Sequence, residues 1–484
     1  MAALLVGAGA AVAWSALRRR EGGTPVHHAG RASRNARVAG LGARVGTSFA
    51  LHQARRAFAS EPHRQELDLA HQLRTAEHVA DALGNMKGAL MKVGQMLSYL
   101  DDGLPEPFRD ALAQLQQNAP PMSGELAAGV VERELGAPPW EVFAEWDPVP
   151  IAAASIGQVH RALTHDGQTV AVKVQYPGVD EAIKADLDNA GMLFAGMRMM
   201  FPGLETGPIL EEVRARLTEE LDYRKEAENQ RFFAEAYAGH PFIHIPTVID
   251  RYCTARVFTS ELADGVRFDE AERWSQEERD LAAESIFRFA IGSMWRLHVF
   301  NGDPHPGNYL FRSGGRVTFL DFGLVKFLTP EDVYPLRRLI ETIVIDPDPA
   351  AFRRTLEDAG FLHANASMTD DQVVQYFRHF YHFVLDDHSG VLDEQYASQT
   401  ARKLFQLDGA GDAGVQQSGN VPPQYVILQR INLGLYAVLG RLRARAPWRA
   451  ISEELWPWVN AAPSTELGRQ DGAWLAGRTP VPAD

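Results

Sequence analysis

Asp303 is followed five residues later by Asn308, then by a stretch that reads as a hairpin turning at Ser313-Gly314-Gly315, then by Asp321-Phe322-Gly323. No other feature restricts the fold so tightly. A hairpin returns the chain to its starting point, so the loop Asn301–Asn308 and the Asp-Phe-Gly turn are predicted to end side by side. Two carboxylates and one side-chain amide then converge. The amide of Asn308 and the carboxylate of Asp321 are hard oxygen donors suited to magnesium on phosphate oxygens, and Asp303 is left as a base for an acceptor hydroxyl. Asp-Phe-Gly alone arises by chance in long chains; after a DxxxxN loop and a hairpin it is a specific signal.

The order of elements upstream agrees. Thr169–Gln175 alternates as a strand does, between the turn formers His165-Asp166-Gly167 and Pro177-Gly178, and carries Lys173 in Val170-Ala171-Val172-Lys173. A long helix is expected over Ile209–Tyr237, with Leu210, Val213, Leu217 and Leu221 as its apolar stripe, followed by strands near Val248–Asp250 and Arg256–Glu261. On an ideal helix Asp222 and Glu226 share a face and Glu220 lies about 120° from Glu226. Carboxylates on separate faces can serve two lysines, Lys173 for Glu226 and Lys92 for Glu220; the alternative is a solvated, highly charged helix face. A strand lysine, a glutamate-rich helix, a strand, DxxxxN and DFG in this order resemble the protein kinases, in which the lysine holds the α and β phosphates of ATP. The cover over those phosphates departs from that pattern, since Ala152-Ala153-Ala154-Ser155 stands where glycines are expected. A β-carbon at each alanine stiffens the loop and limits how closely its amides approach phosphate. Glu261 and Leu262, where the following strand ends, complete the expected nucleotide contacts.

Residues 64–100 read as helical. Leu83, Met86, Leu90, Val93, Leu97 and Leu100 form one stripe, and Gly84, Gly88, Lys92 and Gln95 fall on the opposite face. Two glycines one turn apart permit close approach of another backbone, with Lys92 and Gln95 pointing into that contact. Together, Lys92-Val93-Gly94-Gln95 (KxGQ), Ala152–Ser155, Glu226-Ala227-Glu228-Asn229, the DPHPGN run Asp303–Asn308 and DFG resemble the AarF/UbiB (ABC1/ADCK) atypical kinase family over about residues 65–450. The resemblance implies an extension lying over the active site, with Lys92 meeting Glu220 and Asp222. It also implies binding of ATP and Mg2+, weak or conditional ATPase activity, and support of quinone (ubiquinone) or isoprenoid-lipid biosynthesis at a membrane. Two departures stand out: Asn301-Gly302-Asp303 replaces the His-Ala-Asp of many relatives, and the paired C-terminal spanning helices of some bacterial members are not found.

The net charge of −14 divides unevenly, since residues 1–60 hold nine arginines and one acid (+8), leaving −22 on the remainder. An acidic body argues against nucleic acid as a partner, whereas a basic arm suits an anionic membrane or a targeting role. Met1–Leu17 is nearly uncharged but rich in Ala and Gly, at the short limit for a spanning helix. The expected location is cytoplasmic, with membrane attachment through this segment. One cysteine, Cys253, excludes an internal disulfide framework and is expected to be buried and inert.

The expected fold class is α+β: two lobes like those of a protein kinase, a helical N-terminal KxGQ extension and a mainly helical C-lobe. The boundaries read as a basic arm (1–60), the extension (61–140), the N-lobe (141–262), the C-lobe (263–450) and a tail (451–484), frayed after Ala461. From Gly323 the chain runs only to Leu328 before Thr329-Pro330-Glu331-Asp332, a helix start, so no long activation segment fits and ordinary protein-kinase activity is not expected. Two functions follow. One is an ATPase or small-molecule kinase with nucleotide, a lipid or quinone precursor, a membrane surface and a second copy of the chain as partners; the other is a nucleotide-sensing scaffold that transfers no phosphate.

Overall fold

A computed structural model describes residues 123–154, 156–179, 221–364, 366–385, 390–404 and 423–478. The basic arm, the expected helix 64–100 with Lys92 and Gln95, Ser155 and Glu220 lie outside these residues.

The first described helix, α1 (Gly124–Leu135), starts where the Ser123 side chain accepts from the Leu126 amide and stops at Gly136 in the left-handed conformation. Strands β1 (Glu145–Trp146), β2 (Ala152–Ala153), β3 (Gly157–Leu163) and β4 (Thr169–Gln175) follow, then α2 (Tyr223–Ala236), β5 (Ile243–His244) and β6 (Val257–Glu261). The sheet runs β1-β3-β4-β6, antiparallel throughout, with β2 folded back on β3. Alternation in β4 decides its faces: Val170, Val172 and Val174 pack with Val257 against Ala127, Val130 and Val131 of α1, which turns Lys173 to the other side of the sheet.

Two expectations need correction here. The helix expected across 209–237 does not run through position 222, because Asp222 is extended (φ −117°, ψ 97°) and caps α2, accepting from the Arg224 amide. Asp222 therefore does not share a helix face with Glu226; its carboxylate is paired to the Arg224 guanidinium at 2.9 Å. Nor is 248–250 a strand: Val248 makes an isolated bridge to Ser260, and Asp250–Tyr252 is a 3-10 turn.

The second layer is built around α3 (Gln276–Leu297), buried on almost every side between Ala282 and Trp295. β7 (Val299–Asn301) leaves it, β8 (Tyr309–Arg312) and β9 (Arg316–Phe319) form the expected hairpin, and β10 (Val325–Phe327) pairs back on β7. Gly314 and Gly315 turn the hairpin with φ of 73° and 72°, a region side chains disfavour. Thr329 and Asp332 exchange hydrogen bonds as a capping box and start α4 (Pro330–Ile340), leaving no long segment after Gly323. The layer is completed by α5 (Pro349–Asp358), α6 (Asp370–Phe377), α7 (Glu394–Leu404), α8 (Pro423–Leu442), α9 (Trp448–Leu455) and α10 (Glu466–Ala476). As far as residue 478 the chain is thus not frayed after Ala461: Leu467 joins the core and Asp471 is buried among arginines. Phe233 and Tyr237, in and just after α2, belong to this larger core, so α2 is rooted in the second layer while reaching the first.

Cys253 is half-buried, and burial pushes its thiol pKa up to about 11, consistent with an unreactive side chain. Among the described residues no helix is long and apolar enough to cross a membrane.

Candidate active site

Lys173 extends from the middle of β4 to Glu226 in the first turn of α2. Its ammonium donates to both carboxylate oxygens, at 2.7 and 2.8 Å, and lies 3.7 Å from Asp321. It also stands over the Tyr223 ring, 5.0 Å from the centroid. Burial opposes the charge, but the Glu226 carboxylate, then Asp321, outweigh it and hold the lysine pKa above its ordinary value. The sequence pairing of Lys173 with Glu226 is present. Its companion, Lys92 with Glu220, lies outside the described residues.

The loop before the hairpin is fixed by its own side chains. Asn308 ends a 3-10 turn begun at Pro306, and its Nδ2 donates to the Asp303 carbonyl (2.9 Å) and to the Asp303 carboxylate (3.3 Å). Asp321 turns its Oδ1 to the Gly323 amide at 2.9 Å. Phe322 is fully buried, with its ring centroid 5.0 Å from that of Phe233 on α2. Asp321 lies beside the part-buried Lys173 ammonium, and two carboxylates with a side-chain amide are donor types that suit a hard divalent ion on polyphosphate.

Two asparagines that sequence reasoning left without a role hold this arrangement. Asn301 donates to the Asp321 carbonyl (3.0 Å) and accepts from the Asp303 amide (3.3 Å), tying the two loops together. Asn229, one turn beyond Glu226, donates to the Phe322 carbonyl at 2.9 Å. The signals were present, in the Asn-Gly-Asp departure and in the EAxN run, but the partners are backbone groups far along the chain. Gly302 has its own reason to lack a side chain: a Cβ there would fall 2.5 Å from Leu324 Cγ and 2.9 Å from the Leu324 carbonyl, to which its amide donates.

The alanine loop is closed on itself. Ala152 and Ala153 pair with Val159 and Gln158, and the Ala154 amide donates to the Gly157 carbonyl at 2.9 Å. At the far end of the sheet, the amides of Glu261 and Leu262 are taken by the carbonyls of Thr247 and Thr169. The Glu261 carboxylate faces His244 at 3.4 Å and the Thr247 amide at 3.2 Å, and the His244 contact, then the amide, lowers its pKa despite burial. A base bound at this edge would have to use carbonyl oxygens of Glu261 or Leu262, since their amides are already paired.

The ABC1 atypical kinase-like domain matches residues 114–354. A solved structure, the complex of Rv3197 with erythromycin from Mycobacterium tuberculosis, superposes with a TM-score of 0.59 at 30% identity, covering 81% of this chain and 98% of that one. This chain belongs to the ABC1 atypical kinase-like family. The fold is kinase-like, with mixed helix and strand. Among curated relatives of this ABC1 chain, the rat mitochondrial atypical kinase COQ8B is 36% identical over 250 residues, 51% of this chain and 47% of the relative. The mitochondrial atypical kinase COQ8 of Saccharomyces cerevisiae is 29% identical over 301 residues, 61% of this chain and 60% of the relative. The chain spans about half the length of the curated relatives it matches first. The DPHPGN and DFG loops, Lys173 and Glu226 all fall inside the matched ABC1 region.

Proposed function

We propose that this ABC1 protein binds Mg-ATP between its two layers and hydrolyses it or transfers its terminal phosphoryl group to a small lipid or quinone precursor. The observation that carries the reading is the Lys173 ammonium held between the Glu226 carboxylate at 2.7 Å and Asp321 at 3.7 Å. In this reading Lys173 holds the α and β phosphates and Glu226 keeps it aimed at them. Asn308 and Asp321 would hold magnesium, which when bound neutralises charge on the phosphates. The Asp303 carboxylate would accept the proton of the attacking hydroxyl or water, oriented by the amide of Asn308. The short connection from Gly323 to Thr329 leaves little room to dock a protein substrate, which favours a small acceptor. Attachment to a membrane through residues 1–17, and support of quinone biosynthesis, belong to the same proposal.

A second reading, nucleotide sensing without transfer, draws on the Ala154 amide, which closes its own loop by donating to the Gly157 carbonyl. Calorimetric titration of Mg-ATP, with hydrolysis measured in the presence and absence of vesicles carrying a phenolic quinone precursor, separates the two. Magnesium-dependent binding and precursor-stimulated hydrolysis, both lost in Lys173→Ala, are the expected results. Binding without turnover under any condition would select the sensing role, and absence of binding by the folded protein would reject both.

A further inference from the structure

Helix α2 carries Glu226 and Asn229 between the two layers. Its C-terminal end meets a partner from the far end of the chain. A helix leaves its last carbonyls unpaired and accumulates partial negative charge there. The Arg478 guanidinium donates to the carbonyls of Ala236 and Glu235, the latter at 2.9 Å, and Trp474 Nε1 donates to the Ala238 carbonyl at 3.2 Å. The Trp474 ring lies parallel to Tyr237, centroids 5.9 Å apart, and edge-on to His240 at 4.4 Å. Arg478 stands over the Trp474 ring at 4.6 Å.

α10 itself is firmly seated. Asp471, one turn before Trp474, is gripped by Arg296 of α3 at 2.7 and 3.1 Å and by His240 at 3.3 Å. The residue that anchors α10 to α3 therefore also contacts the loop leaving α2. From Ala236 back to Glu226 is about 15 Å of continuous helix, a rigid lever at about 1.5 Å per residue.

We propose that α10 and the turn that follows it, through Asp471, Trp474 and Arg478, form a brace that caps α2 and sets the position of Glu226 against Lys173. Arg478, Trp474 and Asp471 are positioning residues: they touch neither Lys173 nor the loops around Asp303 and Asp321, and they act through the helix. The inference rests on the nucleotide-binding reading for its functional consequence, but its structural half stands apart from it.

The test compares the full chain with Arg478→Ala, Trp474→Ala and Arg478→Lys. Amide hydrogen exchange is followed across 223–238 and, as an internal control, across α3, alongside calorimetric titration of Mg-ATP. The brace predicts about three- to thirtyfold faster exchange in 223–238 for the two alanine variants, the range expected for losing a charged helix C-cap, with α3 unchanged. It also predicts Mg-ATP affinity reduced several-fold, and partial recovery of both readouts in Arg478→Lys. Exchange in 223–238 equal to that of the parent chain in both alanine variants would overturn the brace, whatever the nucleotide does. Faster exchange in a protein whose parent form binds no Mg-ATP would uphold the brace and count against the nucleotide reading alone. Faster exchange with unaltered Mg-ATP affinity in a parent that does bind would overturn the coupling to Glu226.

Discussion

Asp321→Asn is expected to weaken Mg-ATP binding by more than about tenfold, on the order of 1.4 kcal/mol, while the protein stays folded. The asparagine keeps the shape of the turn, because its oxygen can still accept from the Gly323 amide as the Asp321 Oδ1 does at 2.9 Å. What disappears is the negative charge 3.7 Å from Lys173 and, with it, the anionic oxygen proposed to hold the metal. The magnesium dependence of binding should flatten in the same variant. Calorimetry with and without magnesium, beside a circular dichroism spectrum, reads both effects. Unchanged Mg-ATP affinity in the folded variant would sink the assignment of Asp321 as a metal ligand.

The largest effect on stability is expected at Arg288. Its guanidinium, 1% exposed, lies between Glu284 and Glu454, each at 2.7 Å, and 3.7 Å from Asp471. Thr465 adds a contact at 3.1 Å, so this single side chain connects α3, α9 and the start of α10. Arg288→Ala removes the cation and leaves three buried carboxylates facing one another, with Arg296 as the remaining close cation on Asp471. Breaking a buried ion network from one side costs about 3–5 kcal/mol, because the abandoned charges keep their desolvation penalty. Urea unfolding should show that loss. A decrease below about 1 kcal/mol, the scale of a solvated pair, would mean that water reaches these carboxylates.

What could be read in the sequence was local or order-dependent. The strand Thr169–Gln175 and the helix start at Thr329 follow from alternation and from a Thr-Pro-Glu-Asp run, and both stand as expected. The pairing of Lys173 with Glu226 followed from the order of elements and not from any contact visible in the sequence. Two misreadings and one omission share one cause, that local pattern is silent about tertiary partners. The run through Glu219–Glu226 is uniformly helix-friendly, yet Asp222 takes the extended conformation and caps, a choice made easier by its tie to Arg224. The Pro-rich stretch after Ala461 looked unable to pack, but Asp471 finds Arg296 and Leu467 finds the core. Asn301 and Asn229 reach carbonyls 20 and 93 residues away, and no spacing rule points there.

The Asp-Phe-Gly turn is held from three directions. Asn301 takes the carbonyl of Asp321, Asn229 that of Phe322, and the Gly302 amide that of Leu324, just before β10 joins β7. Phe322 itself has no exposed surface. In protein kinases the packing of this phenylalanine distinguishes active from inactive arrangements of the site. In this protein an outward swing of Phe322 would break two side-chain hydrogen bonds, disturb a strand pair and open the aromatic packing on Phe233 together. Compounds that need the space behind this turn should therefore find no vacancy, and chemical probes for this protein should leave the phenylalanine in place.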